Sequence, residues 1–151
     1  MQPLSDLPGI LLKTAAKADE KMKNAMNTMA DKIVAETKKN LHTSSHKYGT
    51  PTPARVGGPP SLISGDLSRS ISKASAKGGT EVRIGPDSSP HGSNAVRNRR
   101  GTSGGTANSK IGLYLETGLK NGAQYPFLRP AYDKVKDSAG DVFLEEFGKG
   151  W

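Results

Sequence analysis

The chain of 151 residues contains no cysteine. This absence excludes disulfide bonds, thiolate nucleophiles and zinc sites built on cysteine. No stretch approaches the roughly 18 consecutive apolar residues of a membrane span, so we expect none. The apolar run at residues 7–12 has no basic segment before it and no small-residue cleavage site. We therefore expect no signal peptide, and a protein that stays in the cytoplasm where it is made.

Large apolar side chains are scarce. Only 33% of the residues are hydrophobic and 5% are aromatic, whereas the chain has 18 glycines and 10 prolines. A chain of this length forms one domain, residues 1–151, but this composition predicts a thin core and long loops. We expect partners to complete the burial of its apolar surface.

Charge of one sign dominates. The 22 lysines and arginines exceed the 14 acidic residues, which gives a net charge of +8. An excess of positive charge favours acidic partners, and nucleic acid is the obvious one. Acidic protein surfaces are the alternative that composition leaves open.

Residues 11–41 lie within the longest stretch without proline or glycine. Its apolar residues recur at spacings of three and four, which predicts an amphipathic helix with one core-facing stripe. The stripe comprises Ala15, Ala18, Met22, Met26, Met29 and Ile33.

A glycine- and proline-rich connector at 42–64 should lack regular structure. A short helix or turn then runs to Ser70, with Ser64 or Asp66 as its N-cap. Alternation from Ile71 onward and again over 80–85, joined at Gly78–Gly79, predicts an antiparallel hairpin.

The apolar run at 111–116 fits either a buried strand or a helical turn, and Gly118 ends it. A last helix is predicted from Pro130, which suits a first helical position, to Gly148, with a kink or early end at Gly140. Four acidic residues recur along it every four positions, as a solvated face or as an interface with a neighbouring copy. They are Asp133, Asp137, Asp141 and Glu145.

Residues 86–109 predict a long, flexible, basic loop that is rich in glycine. Arg97, Arg99 and Arg100 lie inside it, and no acidic residue occurs between Asp87 and Glu116. Such arginines can neutralise DNA phosphates without reading bases, or they can meet an acidic protein surface. A merely solvated loop is the third interpretation.

No set of residues predicts catalysis. His42 and His46 have the spacing of a helical metal pair, but no glutamate lies between them and no third ligand is near in sequence. The chain has no phosphate-binding glycine loop and no Gly-x-Ser-x-Gly motif. We therefore predict a protein that is not an enzyme and that has no catalytic, cofactor-binding or metal-binding residues.

Two segments together resemble the tail-component family typified by HK-ninety-seven-like phages. Residues 57–60 and 64–71 resemble its first block, and residues 114–118 and 125–131 resemble its second, in which Pro-Phe-Leu-Arg-Pro-Ala is the most specific string. The matching positions are Gly65, Leu67, Ser70, Ile71, Glu116, Gly118, Pro126, Phe127, Leu128, Arg129 and Pro130. The loop at 86–109 is longer than in such proteins, so its role does not transfer.

The resemblance implies an α+β subunit in which a long N-terminal helix and a C-terminal helix pack on a small antiparallel sheet with long loops. It also implies a tail-completion protein at the head–tail junction, or neck, of a long-tailed DNA phage. Such subunits assemble as a ring, expected to be a hexamer, and contact head connector or stopper proteins and tail terminator or tube proteins. They reside in the virion and, during assembly, in the host cytoplasm. A tail terminator and a small basic DNA-binding protein are the alternatives.

The second block also has a physical interpretation. Pro126 and Pro130 restrict the backbone around Phe127 and Leu128, which would anchor the last helix on the hairpin. Glu116 would cap that helix or pair with Arg129.

Overall fold

A computed structural model describes residues 6–87 and 107–150. The long helix α1 spans Leu7–Leu41, and the short helix α2 spans Asp66–Ser70. Strands β1 (Ile71–Ala76) and β2 (Glu81–Pro86) follow. Three further helices complete the described part: α3 (Asn108–Thr117), α4 (Leu128–Lys136) and α5 (Ala139–Gly148). The predicted α+β class is confirmed.

Helix α1 begins at Leu7, four residues before the predicted start. Pro8 occupies its first turn, where a missing backbone N–H costs no hydrogen bond, so proline and the following Gly9 did not stop the helix. At 1.5 Å per residue the helix is about 52 Å long. Its buried residues lie in the C-terminal part: Ala25, Ala30, Ile33, Thr37 and Leu41.

The predicted apolar stripe of α1 is only partly correct. Ile33 is buried and Met26 and Met29 are half-buried, as the spacing indicated. Ala15 is exposed because the N-terminal turns of α1 extend beyond the elements that pack on its remainder. Met22 lies at the level where α5 ends and is 44% exposed.

The hairpin is confirmed, with a turn at Lys77–Gly79 and positive φ at both Gly78 and Gly79. Ile71 pairs with Pro86, and Lys73 with Ile84, which places these residues on one face of the sheet. That face lies on α1, since Lys73 Nζ forms an ion pair with Asp31 at 2.7 Å and donates to the carbonyl of Asn27.

The connector at 42–64 contains no helix or longer strand, as predicted, but its two ends are joined. Ser45 and Leu62 form a parallel bridge, and Leu62 N–H donates to Ser44 O at 2.8 Å. At the start of α2, the prediction of Ser64 or Asp66 as N-cap is wrong. Gly65 holds that position with φ of 79°, a left-handed conformation that glycine adopts without a steric cost.

Residues 111–116 lie within helix α3, so the strand alternative is wrong. Helix α3 ends before Gly118, as predicted. The predicted basic loop is shorter than 86–109 because Pro86 closes β2 and Asn108 begins α3. Most of the loop, with Arg97, Arg99 and Arg100, lies outside the described residues.

The C-terminal region is two helices, not the predicted single helix from Pro130. Pro130 is the third residue of α4, still in the first turn, and the interruption falls at Asp137–Ser138 rather than at Gly140. Ser138 Oγ and N–H both bond to Val135 O, at 2.8 and 3.0 Å. This local bonding competes with continuation of the helix.

Helices α4 and α5 run antiparallel to α1 and pack along it. Lys134 of α4 forms an ion pair with Glu36 at 2.6 Å, and Lys21 Nζ donates to the carbonyls of Glu146 and Lys149 at the end of α5. The hydrogen bond from Lys134 lowers the pKa of Glu36 below its ordinary value of 4.5.

This pKa shift predicts a pH-dependent contribution to folding. A carboxyl group whose pKa is lower in the folded than in the unfolded state stabilises the fold at pH values above its unfolded-state pKa. This contribution is lost as the pH falls through the folded-state pKa. Glu36→Gln should lower the midpoint of thermal unfolding by about 1–3 °C at pH 7. The difference should shrink toward pH 3, as the pH falls through the lowered pKa of Glu36 and its carboxylate becomes protonated in the wild type.

The control is Glu20→Gln, an exposed glutamate on the same helix. It should leave the midpoint unchanged at both pH values. An equal loss for Glu36→Gln at pH 7 and pH 3 would contradict an ionic contribution.

Candidate functional site

The two motif segments meet in one buried cluster. Leu41, Ile71 and Phe127 are at most 3% exposed, although they come from α1, β1 and the residue before α4. Partly buried apolar side chains surround them: Val34, Leu67, Leu115 and Leu128. Five of these seven residues belong to the two motif segments. The residues that carry the family resemblance are therefore largely those that form the core between the elements.

Glu116 connects α3 to the start of α4. Its Oε1 accepts a hydrogen bond from Phe127 N–H at 2.7 Å and another from Leu128 N–H. These N–H groups have no partner within the helix, and the N-terminal end of a helix dipole favours a carboxylate. The prediction that Glu116 caps the helix is confirmed, while the alternative pairing with Arg129 is wrong.

The segment between α3 and α4 is held by backbone hydrogen bonds. Tyr125 N–H donates to Leu115 O at 2.7 Å, and Gly57 N–H in the connector donates to Gln124 O at 2.8 Å. Asn40 Nδ2 of α1 donates to Phe127 O at 2.9 Å. These bonds fix the backbone on both sides of Phe127, which is consistent with the restriction expected from Pro126.

The first motif segment is also largely buried and hydrogen-bonded. Ser70 is 1% exposed, and its Oγ donates to Leu67 O at 2.7 Å. Asp66 is equally buried, and it pairs with Arg69 and accepts a hydrogen bond from Ser64 Oγ at 2.8 Å. This segment therefore presents Leu67 and Ile71 to the core, while the side chains of Ser64, Asp66, Arg69 and Ser70 form hydrogen bonds within the segment.

Gly112 is a structural position that the sequence pattern did not reveal. A Cβ at this residue would lie 2.6 Å from Pro86 Cγ and 3.4 Å from Phe127 Cζ. The glycine allows α3 to pack closely against β2 and Phe127. The only signal in the sequence is a glycine inside an apolar run. Such a glycine indicates close packing only once the run is known to form a helix.

Some second-block residues lie at or near the surface. Arg129 and Pro130 are exposed, and Leu128 is half-buried. An open depression of about 350 Å³ lies beside them. It is lined mainly by apolar side chains, with one carboxylate and one guanidinium: Ile33, Ile84, Leu128, Tyr132, Glu116 and Arg129.

His42 and His46 are hydrogen-bonded to different side chains. His42 Nε2 is hydrogen-bonded to Ser68 Oγ at 2.9 Å, and His46 Nδ1 lies 3.3 Å from Thr50 Oγ1. Within residues 6–87 and 107–150, no group of three potential ligands could hold a metal ion. In the same described part, no helix has the length and apolarity that crossing a bilayer requires.

The four acidic residues predicted as one stripe are exposed, but they do not lie on one continuous helix. Asp133 lies on α4, Asp137 lies in the interruption, and Asp141 and Glu145 lie on α5. Asp133 pairs with Lys136 at 2.7 Å and raises the pKa of that lysine. Glu145 lies 3.5 Å from Lys149, a weaker pair.

Comparison of the chain with protein-family models, with curated proteins and with solved structures yields no match.

The burial of Phe127 predicts a large effect of its truncation. Phe127→Ala should lower the free energy of unfolding by about 3–5 kcal/mol, because it removes a 1% exposed ring at the contact of α1, β1 and α3. Chemical denaturation monitored by circular dichroism measures this change.

Tyr48→Ala is the matched control, since Tyr48 is an aromatic residue that is 82% exposed. It should change the free energy of unfolding by less than about 0.5 kcal/mol. A similarly small effect of Phe127→Ala would contradict its role as the anchor of the core.

Proposed function

We propose that this chain is a structural subunit of the head–tail junction of a long-tailed DNA phage, where copies form a ring that completes the tail and joins it to the head connector. The proposal assigns it no enzymatic activity. One observation carries it: the segments that resemble the tail-completion family, far apart in sequence, supply most of one buried core. A chance resemblance of two short strings would not require them to meet in the fold.

The exposed apolar surface supports a role in an assembly. Leu12 and Leu144 are 73% and 74% exposed, and Leu11 is 60% exposed. Single exposed apolar residues are ordinary, but Leu7, Ile10, Leu11 and Leu12 are adjacent on one projecting helix. Such a surface favours a subunit that completes its burial against other copies or neighbouring neck proteins.

The basic charge fits the same location. The expected partners are head connector or stopper proteins on one side, tail terminator or tube proteins on the other, and packaged DNA in the channel. Arg97, Arg99 and Arg100 remain the proposed contacts to DNA phosphates or to an acidic rim. In a ring, symmetry would repeat them around the axis.

Deletion of the gene from the encoding phage tests this function. We expect infected cells to accumulate filled heads and separate tails of normal length, and expression of the chain in trans should restore joined particles. Electron microscopy with an antibody against the chain should place it at the junction of complete particles.

Tails of uncontrolled length in the deletion strain would instead support the tail-terminator alternative. Normal joined particles that lack the chain would contradict a neck role. A chain that is absent from purified virions but retained on DNA columns would support the small DNA-binding protein.

A further inference from the structure

The end of α1 and the connector carry positive charge without compensation. Residues 37–65 contain four cations, Lys38, Lys39, Lys47 and Arg55, and no carboxylate. These cations equal half of the net charge of +8, on about a fifth of the chain. The positive charge of the described part is therefore concentrated in this stretch.

The carboxylates on either side of this stretch already have cations of their own. Glu36 forms an ion pair with Lys134 at 2.6 Å, and the buried Asp66 pairs with Arg69. Lys39 attracts Glu36 only weakly in comparison with Lys134. The flanking carboxylates therefore do not neutralise residues 37–65.

Three of the four cations are exposed to solvent. Lys39, Lys47 and Arg55 are exposed, whereas Lys38 is half-buried. Within residues 6–87 and 107–150, none of the three exposed cations forms an ion pair. An acidic partner could therefore approach them without breaking a contact inside the subunit.

Hydrogen bonds hold the connector near the end of α1. Asn40 Nδ2 donates to Phe127 O at 2.9 Å, and Gly57 N–H donates to Gln124 O at 2.8 Å. Gln124 and Phe127 are three residues apart, which is a separation of at most about 11 Å. The turn that contains Arg55 therefore lies near the last turn of α1, and the cations belong to one side of the molecule.

Lys47 begins a tight turn in the connector. Thr50 N–H donates to Lys47 O at 3.1 Å, and Gly49 has the positive φ of 82° that a type II turn requires at its third position. Tyr48 occupies the second position and is 82% exposed. The turn therefore exposes an ammonium group and a phenol hydroxyl on adjacent residues.

The exposed side chains of residues 39–55 suit phosphate better than a protein surface. None of the exposed residues in this range is Leu, Ile, Val, Met or Phe, whereas a protein interface has an apolar core. Phosphate oxygens of DNA accept hydrogen bonds from lysine and arginine and from hydroxyl groups. Ser45, Tyr48 and Thr52 are exposed, and their hydroxyl groups donate no hydrogen bond within the described residues.

We propose that residues 39–55 bind the phosphate backbone of duplex DNA without reading its base sequence. Lys39, Lys47 and Arg55 neutralise phosphates, and the hydroxyl groups of Ser45 and Tyr48 donate to phosphate oxygens. The inference rests on the proposed function for the presence of DNA in the neck channel, and it names a surface of the chain that meets this DNA.

Fluorescence anisotropy of the full chain with a labelled duplex of mixed sequence tests this surface. The test variant combines Lys39→Gln, Lys47→Gln and Arg55→Gln. Each lost phosphate contact should reduce the slope of log affinity against log salt by about 0.9, so the total reduction should be about 2–3. Affinity at about 0.1 M salt should fall about tenfold or more, and equally for duplexes of different sequence.

The matched control combines Lys13→Gln, Lys17→Gln and Lys110→Gln. These lysines are exposed, lie outside residues 39–55 and form no ion pair within the described part of the chain. The control loses the same charge and should keep the slope and affinity of the wild type. Thermal unfolding should show that both variants remain folded. Lys47→Gln alone, in an exposed turn, should reduce the slope by about 0.9 even if the triple variant unfolds.

Equal losses in the test variant and the control would show an effect of net charge and would overturn this surface, as would a wild type that binds no duplex. Polyglutamate that competes as well as DNA of equal charge would indicate an acidic protein partner and would overturn the assignment to DNA. The neck function fails separately. A chain that is absent from virions but binds duplex as expected keeps the surface and loses the neck function, whereas a neck protein whose duplex binding ignores these substitutions does the opposite.

Discussion

The carboxylate of Glu116 accepts hydrogen bonds from the backbone N–H groups of Phe127 and Leu128, at the start of α4. The rest of the fold depends on this junction between α3 and α4. It fixes the point at which the chain leaves the loop, and so it places Phe127 between Leu41 and Ile71. Helices α4 and α5 then lie along α1, where Lys134 meets Glu36 and Lys21 meets the end of α5. With few large apolar residues available, a single directed carboxylate has a large share in deciding where the C-terminal helices lie.

Local sequence patterns predicted the elements that neighbouring residues determine. The hairpin followed from alternation and from two glycines at a turn that needs positive φ. The spacing of apolar residues predicted the long helix but not its start. Helix propensity alone treats Pro8 as a stop, whereas a proline is tolerated in the first turn of a helix. The interruption at Ser138 depended on a side chain bonding to Val135 O, which competes with the helix only once that helix has formed.

The core was predictable at Phe127 because a proline-bracketed aromatic is an unusual string, and the capping role of Glu116 was one of two alternatives. Burial in α1 was not predictable in detail. The repeat of three and four marks one face over the whole helix, but it carries no information on where packing elements end. Gly112 became meaningful only when Pro86 and Phe127 were found beside it.

The apolar surface that the subunit leaves exposed connects the fold with the proposed function. The apolar residues of α1 continue past the end of α5, where Leu7, Ile10 and Leu11 are exposed, and this exposure supports the proposed assembly of copies. If copies assemble as proposed, the motif core holds their exposed surfaces in fixed positions.

Amide hydrogen exchange at Phe127 and Leu128 tests this dependence most directly. In Glu116→Ala, both amides should exchange about 5–30-fold faster than in the wild type, the effect of losing a cap of about 1–2 kcal/mol. Exchange at Ile33, within α1, should change less. Unchanged rates at Phe127 and Leu128, or a uniform acceleration along the whole chain, would contradict a junction that rests on this carboxylate.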